Sequence, residues 1–172
     1  MPNKNTIHII LTGGTIDSHY DGTKDTAITN RSSVVPDFIK SLKLYEKTEY
    51  TEICMKDSRH LTKADLKKIL NTIEKSPYKK IIITHGTYTM PDTARYLNKH
   101  LKRKDQTIIF TGSMIPLVGF TPSDAPFNLG YSIAKVQDME PSISVCMNGK
   151  NFQPDEVAKL LYEGKFISLF NK

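Results

Sequence analysis

The sequence predicts an α/β fold: a Rossmann-like three-layer sandwich with a mostly parallel sheet, in a single domain covering residues 1–172. Three observations lead there. A chain of 172 residues with 38% hydrophobic side chains makes one domain of ordinary size with one sizeable core. Five short apolar runs punctuate it, and continuous β-branched runs of this kind suit strands buried on both faces, as in parallel sheets. Segments with helical spacing lie between the runs, and such alternation marks βαβ units.

In chain order, "TIHIILT" (6–12) is Ile-rich and ends at Gly13-Gly14, which makes it the first strand. Residues 17–33, "DSHYDGTKDTAITNRSS", are polar and are expected to form a lid-like loop. A loop of that length is uncommon in a compact domain unless it is functional or disordered. It reads either as a lid over a site or as a solvated loop. Residues 34–45 place Val35, Phe38, Ile39 and Leu42 at helical spacing, and "YTEICM" (50–55) gives the second strand. Residues 62–76 carry the stripe Leu66, Ile69, Leu70 and Ile73, opened by the capping signature "TKAD". "KIIITH" (80–85) is the third strand. A helix over 91–103 follows, with Pro91 in its first turn and Ala94, Leu97 and Leu101 facing inward. "TIIFTG" (107–112), a helix over 125–138 and "SISVCM" (142–147) come next. A last helix is expected over 154–162, opened by Pro154.

The formal charge is +6, from 24 Lys and Arg against 18 Asp and Glu. The lysines are spread along helices and chain ends, and only 79–80 and 102–104 cluster. Without a nucleic-acid motif, charge argues solubility and non-specific attraction, so no nucleic-acid partner is expected. Cys54 and Cys146 form neither a disulfide framework nor a zinc spacing, and are expected as buried free thiols in a reducing cytosol. "MPNKNT" leads straight into a strand, and no apolar run reaches the roughly 18 residues of a membrane span. The expectation is a cytoplasmic protein with no membrane contact.

Open α/β sheets bind ligands beyond the carboxyl ends of their strands. That rule selects Thr12, Gly13, Gly14 and Thr15 after strand one, and Lys56, Asp57 and Ser58 after strand two. After strand three come His85, Gly86, Thr87, Tyr88 and Thr89, and after strand four Thr111, Gly112, Ser113 and Met114. Glycine admits close backbone approach, and helix N-termini offer free N–H groups. The Walker, GxGxxG and GxSxG patterns are absent, so no cofactor and no metal is expected. A threonine nucleophile can be activated by an amine, and Lys159 and Lys56 are the candidates. Thr87 reads as nucleophile, binding-loop residue or turn hydroxyl before Pro91. His85 reads as a core histidine, Ser58 and Ser113 as turn hydrogen-bonders able to touch a ligand, and Asp124 and Asn128 as fixing the loop before a helix.

"ILTGGTIDS" (10–18) and "IITHGTYTMPDTARYL" (82–97) resemble the two signatures of the L-asparaginase/glutaminase family, the bacterial-type threonine amidohydrolases. "IIFTGSMIPL" with "FTPSDAPFNL" (108–129) is similar to a third block of that family, and "MNGKNFQPDEVAK" (147–159) to its lysine-bearing segment. The resemblance implies that Thr15 attacks a side-chain amide, that Thr87 helps activate the attacking hydroxyl or water, and that Lys159 hydrogen-bonds Thr87. It implies a substrate loop holding Asp57, and a lid tyrosine, for which Tyr20 is the candidate in the polar segment. Gly14, Lys56, Ser58, Gly86, Tyr88 and Ser113 complete the implied binding set. The implied chemistry is acyl transfer through a threonine ester, with backbone N–H groups meeting the developing charge. The implied partners are a small-molecule amide substrate and further copies of the chain, as a homo-oligomer (dimer or tetramer).

Two departures bear on function. The family reads "HGTDT" where this chain reads "HGTYT", so Tyr88 stands where an Asp would pair with the α-ammonium of asparagine. Tyrosine carries no charge at neutral pH, and an unpaired buried ammonium is costly. The family's Ser-Gln, which holds the substrate carboxylate, corresponds to Met55 and Lys56, and Lys56 could hold a carboxylate by charge. Family enzymes also continue into a second, smaller α/β domain, so the expectation is the N-terminal domain alone, with the family's C-terminal domain absent. Two function classes follow: an asparaginase-like amidohydrolase acting on L-asparagine or a related amide, or a catalytically impaired small-molecule-binding domain that keeps the pocket.

Overall fold

The computed structural model describes residues 5–170. The elements in chain order begin with β1 (Ile7–Gly13), β2 (Ser18–Asp21), β3 (Thr26–Thr29), α1 (Val35–Ser41), β4 (Thr48–Lys56), α2 (Lys63–Lys75) and β5 (Lys80–Thr84). They continue with α3 (Met90–His100), β6 (Thr107–Thr111), α4 (Ala125–Asp138), β7 (Ser142–Met147), β8 (Lys150–Phe152), β9 (Val157–Leu160) and β10 (Lys165–Ser168). The central sheet runs β4-β1-β5-β6-β7-β8. Its first five strands are parallel and β8 is antiparallel to β7.

The Ile-rich strands explain the three layers. Successive side chains on a strand face opposite ways. Ile81 and Ile83 therefore join one core with Ile69 and Ile73 of α2 and Ala94 and Leu97 of α3. Ile82 joins the other with Ile39 of α1 and Leu129, Ile133 and Val136 of α4. The two cores cover both faces of the sheet, so β1 is buried along its whole length, and its polar His8 and Thr12 are met by hydrogen bonds to Ser76, Thr51 and Thr84 O. At α2 the Thr62 hydroxyl accepts from Asp65 N, and the Asp65 carboxylate accepts from Thr62 N, a complete capping box.

Three expectations are corrected. Residues 17–33 are not a polar loop: β2 and β3 pair as an antiparallel hairpin, from Ser18↔Thr29 to Asp21↔Thr26. Its polar side chains organise its own turn, where the Asp21 carboxylate accepts from Thr23 N and Oγ1. Its base is closed by Asn30 N donating to Asp17 O at 2.8 Å. The final helix is also absent. Residues 153–156 turn, and β9 pairs with β10 across a bend that includes Gly164 at φ 59. The hairpin buries Val157 and Phe166 against the α2–α3 core, a gain that a helix over 154–162 would forgo. Finally, α1 ends at Ser41 rather than 45, and Lys43 sits in the left-handed region at φ 52. Among the described residues no helix is long and apolar enough to cross a membrane. Both cysteines are free, Cys54 half-buried and Cys146 buried, and burial pushes the Cys146 thiol up to about 12.

Candidate active site

The turns that leave β1, β4 and β5 meet backbone to backbone. Gly14 holds φ 85 and ψ −172, a conformation essentially restricted to glycine. A Cβ there would lie 2.4 Å from Gly86 Cα. A Cβ on Gly86 would in turn lie 2.7 Å from the Ser58 side chain. Gly14 N donates to Lys56 O at 2.9 Å, Thr89 N to Ser58 Oγ at 3.3 Å, and Thr89 Oγ1 to Ser58 O at 3.0 Å. Glycine at these positions therefore lets three loops reach one point.

A cleft of about 200 Å³ opens where they meet. The first turn supplies Gly14 and Thr15, the second Asp57, Ser58 and Arg59, and the third Gly86, Thr87 and Tyr88. Lys159 comes from β9, where it lies opposite Phe166. Its Nζ is 2.6 Å from Thr87 Oγ1. Burial lowers the Lys159 pKa from its usual 10.5, and the nearby Arg59 cation lowers it further, against the opposing pull of Asp57. Among the described residues, no carboxylate lies within ion-pair distance of Lys159. A neutral amine beside a hydroxyl can take its proton, so the pair has the chemistry of a base and an activated alcohol.

The rim is ionic. Arg59 donates from Nε to Asp57 Oδ1 at 3.0 Å and from Nη2 to Oδ2 at 2.7 Å. These bonds hold the Asp57 carboxyl below its ordinary value. The guanidinium also lies 5.8 Å from the centre of the Tyr88 ring, whose residue is 53% exposed. Beneath the third turn, fully buried His85 is pushed by burial down to about 4. Its Nδ1 lies 2.8 Å from Gly86 O, so the neutral ring donates there and braces the turn. At the fourth turn, Asp124 accepts from Met114 N and Ile115 N, each at 2.9 Å, and Asn128 Nδ2 donates to Gly112 O at 3.0 Å.

Three of the residues singled out in the sequence lie elsewhere. Tyr20 stands on β2, exposed, with its hydroxyl bonded to Asp25, and it lines a separate surface pocket shared with Val118 and Phe120. Lys56 is drawn from the cleft by Asp65 at the start of α2, 2.7 Å away. Ser113 is fully buried and donates to Ile115 O at 2.6 Å. Conversely, sequence reasoning stopped at Ser58 and missed Arg59. The signal was its position in the same short turn, two residues from the Asp it pairs with. Among the described residues no cluster of three or more His, Cys, Asp or Glu could hold a metal ion.

A family model described as "Asparaginase, N-terminal" matches residues 6–164. The chain is 29% identical over 167 residues to the glutaminase-asparaginase of Acinetobacter glutaminasificans, covering 91% of this chain and 50% of that protein. It is 30% identical over 171 residues to L-asparaginase 2 of Escherichia coli (strain K12), covering 92% of this chain and 47% of that protein. Among solved structures, the thermostable L-asparaginase from Thermococcus kodakarensis matches with a TM-score of 0.82 and 26% identity, over 95% of this chain and 51% of that one. The chain thus spans about half the length of the curated relatives it matches.

Proposed function

Because this chain belongs to the asparaginase family, we propose that it is an amidohydrolase that converts a small primary amide to a carboxylate and ammonia through a threonine ester. The observation that carries this reading is the 2.6 Å contact between Lys159 Nζ and Thr87 Oγ1 inside a cleft that Thr15 also lines. Thr15 Oγ1 attacks the amide carbon while its proton passes through the Thr87 hydroxyl to the Lys159 amine. The C–N bond breaks, and the nitrogen leaves as ammonia after taking that proton. Water, deprotonated by the same Thr87–Lys159 pair, then attacks the ester, freeing the carboxylate and restoring the Thr15 hydroxyl. Backbone N–H groups of the turns meet the oxyanion, a contribution worth about 3–4 kcal/mol per donor. The cleft is smaller than the roughly 300–1,000 Å³ of drug-sized pockets, which suits an amide the size of an amino acid.

Further copies of the chain cover the open rim in our reading, since Tyr88 stands half-exposed beside the cleft. The two free thiols support a cytoplasmic location. Ammonia release from L-asparagine, L-glutamine and amides without an α-amino group tests the activity. Release is expected from at least one of them, and about 10²–10⁴-fold less from the Thr87→Val protein. If folded protein releases no ammonia from any of them yet binds them, the second reading takes its place: a pocket that lost its chemistry, as Tyr88 in place of an acid favours.

A further inference from the structure

The charges at the cleft narrow the kind of amide it can take, given that the cleft is an amidohydrolase site. Its lining holds one carboxylate, Asp57. Both oxygens of that carboxylate are engaged by the Arg59 side chain, and Oδ1 also accepts from Arg59 N at 2.9 Å. Asp57 is thus already matched by a cation of its own chain. Arg59 spends one N–H each of Nε and Nη2 on this pair, which leaves both N–H groups of Nη1 and the second of Nη2 for another acceptor. The Tyr88 ring faces the guanidinium at 5.8 Å and limits where it can go. The other basic side chain of the lining, Lys159, is the neutral amine of the proposed chemistry and offers an ammonium no counter-charge.

A ligand ammonium entering here would meet the Arg59 cation and a carboxylate already in use. A ligand carboxylate would meet a planar guanidinium with free donors, the group best suited to it. We propose that the substrate is an anionic amide without a free α-ammonium: an ω-amide bearing a carboxylate, with hydrogen or an acylated nitrogen where asparagine carries its ammonium. Arg59 receives that carboxylate. Tyr88 offers no charge to an ammonium, and its exposed ring leaves room for an acyl group at the rim.

The test compares kcat/KM for ammonia release from succinamate, N-acetyl-L-asparagine and L-asparagine. The wild-type protein should favour the first two by at least about tenfold, since like-charge juxtaposition costs that much or more. Arg59→Gln should raise the KM for succinamate more than it lowers kcat and should erase the preference, while Arg59→Lys keeps part of it. The ratio between substrates cancels any change at Lys159 that both share, so a purely structural role for Arg59 would leave it unmoved. An unchanged ratio in Arg59→Gln, or a wild-type preference for L-asparagine, overturns the proposal. Calorimetric binding of succinate and L-aspartate separates this proposal from the hydrolytic reading. Tighter succinate binding without ammonia release sinks the amidohydrolase and leaves the charge assignment standing, whereas tighter L-aspartate binding sinks the charge assignment itself.

Discussion

Replacing Gly14 with alanine tests whether the first and third turns touch as described. Two costs add. The backbone at φ 85 and ψ −172 strains any residue with a Cβ by about 1–3 kcal/mol. The new Cβ would also fall 2.4 Å from Gly86 Cα, a backbone atom that cannot swing aside as a side chain would. Overlap of this kind costs a further 1–3 kcal/mol or so. The sum, about 2–6 kcal/mol, is a large part of the roughly 5–15 kcal/mol that holds a domain folded. For a chain of this size, at about 2–4 °C per kcal/mol, it corresponds to a melting point lower by roughly 4–24 °C. Gly119→Ala is the control: it shares a positive φ of 84 but has no atom within 4 Å of the added Cβ, so it reports backbone strain alone. Calorimetric melting of the three proteins gives the difference. Ammonia release should fall about a hundredfold in Gly14→Ala, the usual penalty for misplacing a reacting group by about 1 Å. If Gly14→Ala melts with Gly119→Ala and keeps its activity, the backbone contact between the turns does not exist.

Two further predictions concern protons. The proposed mechanism needs Lys159 as the neutral amine, so kcat/KM should rise with pH along a limb that lies below the lysine's usual 10.5. Arg59→Gln removes a cation that lowers this pKa and should move the limb to higher pH. Asp57→Asn removes an anion that raises it and should move the limb lower, so movement in the same direction in both would refute the assignment. Asp17 is buried, and burial raises its pKa from 3.8 to about 6 against hydrogen bonds from Val34 N and the Ser33 hydroxyl. The folded state then binds the extra proton between those two values, so stability should fall as pH rises through that window, by up to about 3 kcal/mol. Urea unfolding across this range should show that slope, and Asp17→Asn should remove it. An equal slope in both proteins would show that the group titrates normally.

How far the sequence could be read follows from where each signal is local. The parallel strands were legible because runs such as Ile81-Ile82-Ile83 need apolar cover on both faces. α2 was legible from its stripe and its Thr62–Asp65 box. The β7–β8 hairpin was missed although its signal is local: Asn148-Gly149 is a strong two-residue turn, and both residues have positive φ. The β9–β10 hairpin was not legible. Four residues, Val157 to Leu160, suit a helix or a strand equally, and what decides is burial of Val157 and Phe166 against a core built by residues far away in sequence. In the site, the motif blocks named Thr15, Thr87 and Lys159, which the fold brings to one cleft. Lys56 misled because its partner, Asp65, sits on the next helix, and Tyr20 because its segment folds into a hairpin that points it elsewhere. Arg59 went unread because an Arg two residues after an Asp is an ordinary turn pair until Tyr88 is seen beside it.

The hydroxyl of Thr87 and the amine of Lys159 act as one unit in this account, and a double-mutant cycle measures that directly. Ammonia release is compared for the wild type, Thr87→Val, Lys159→Met and the double variant, each shown to be folded by its melting curve. Each single change should lower kcat/KM by about 10²–10⁴-fold, and the double variant should be no worse than the weaker single, because the second change removes a group already idle. Losses that multiply, or a Lys159→Met protein that works as well as the wild type, would contradict it.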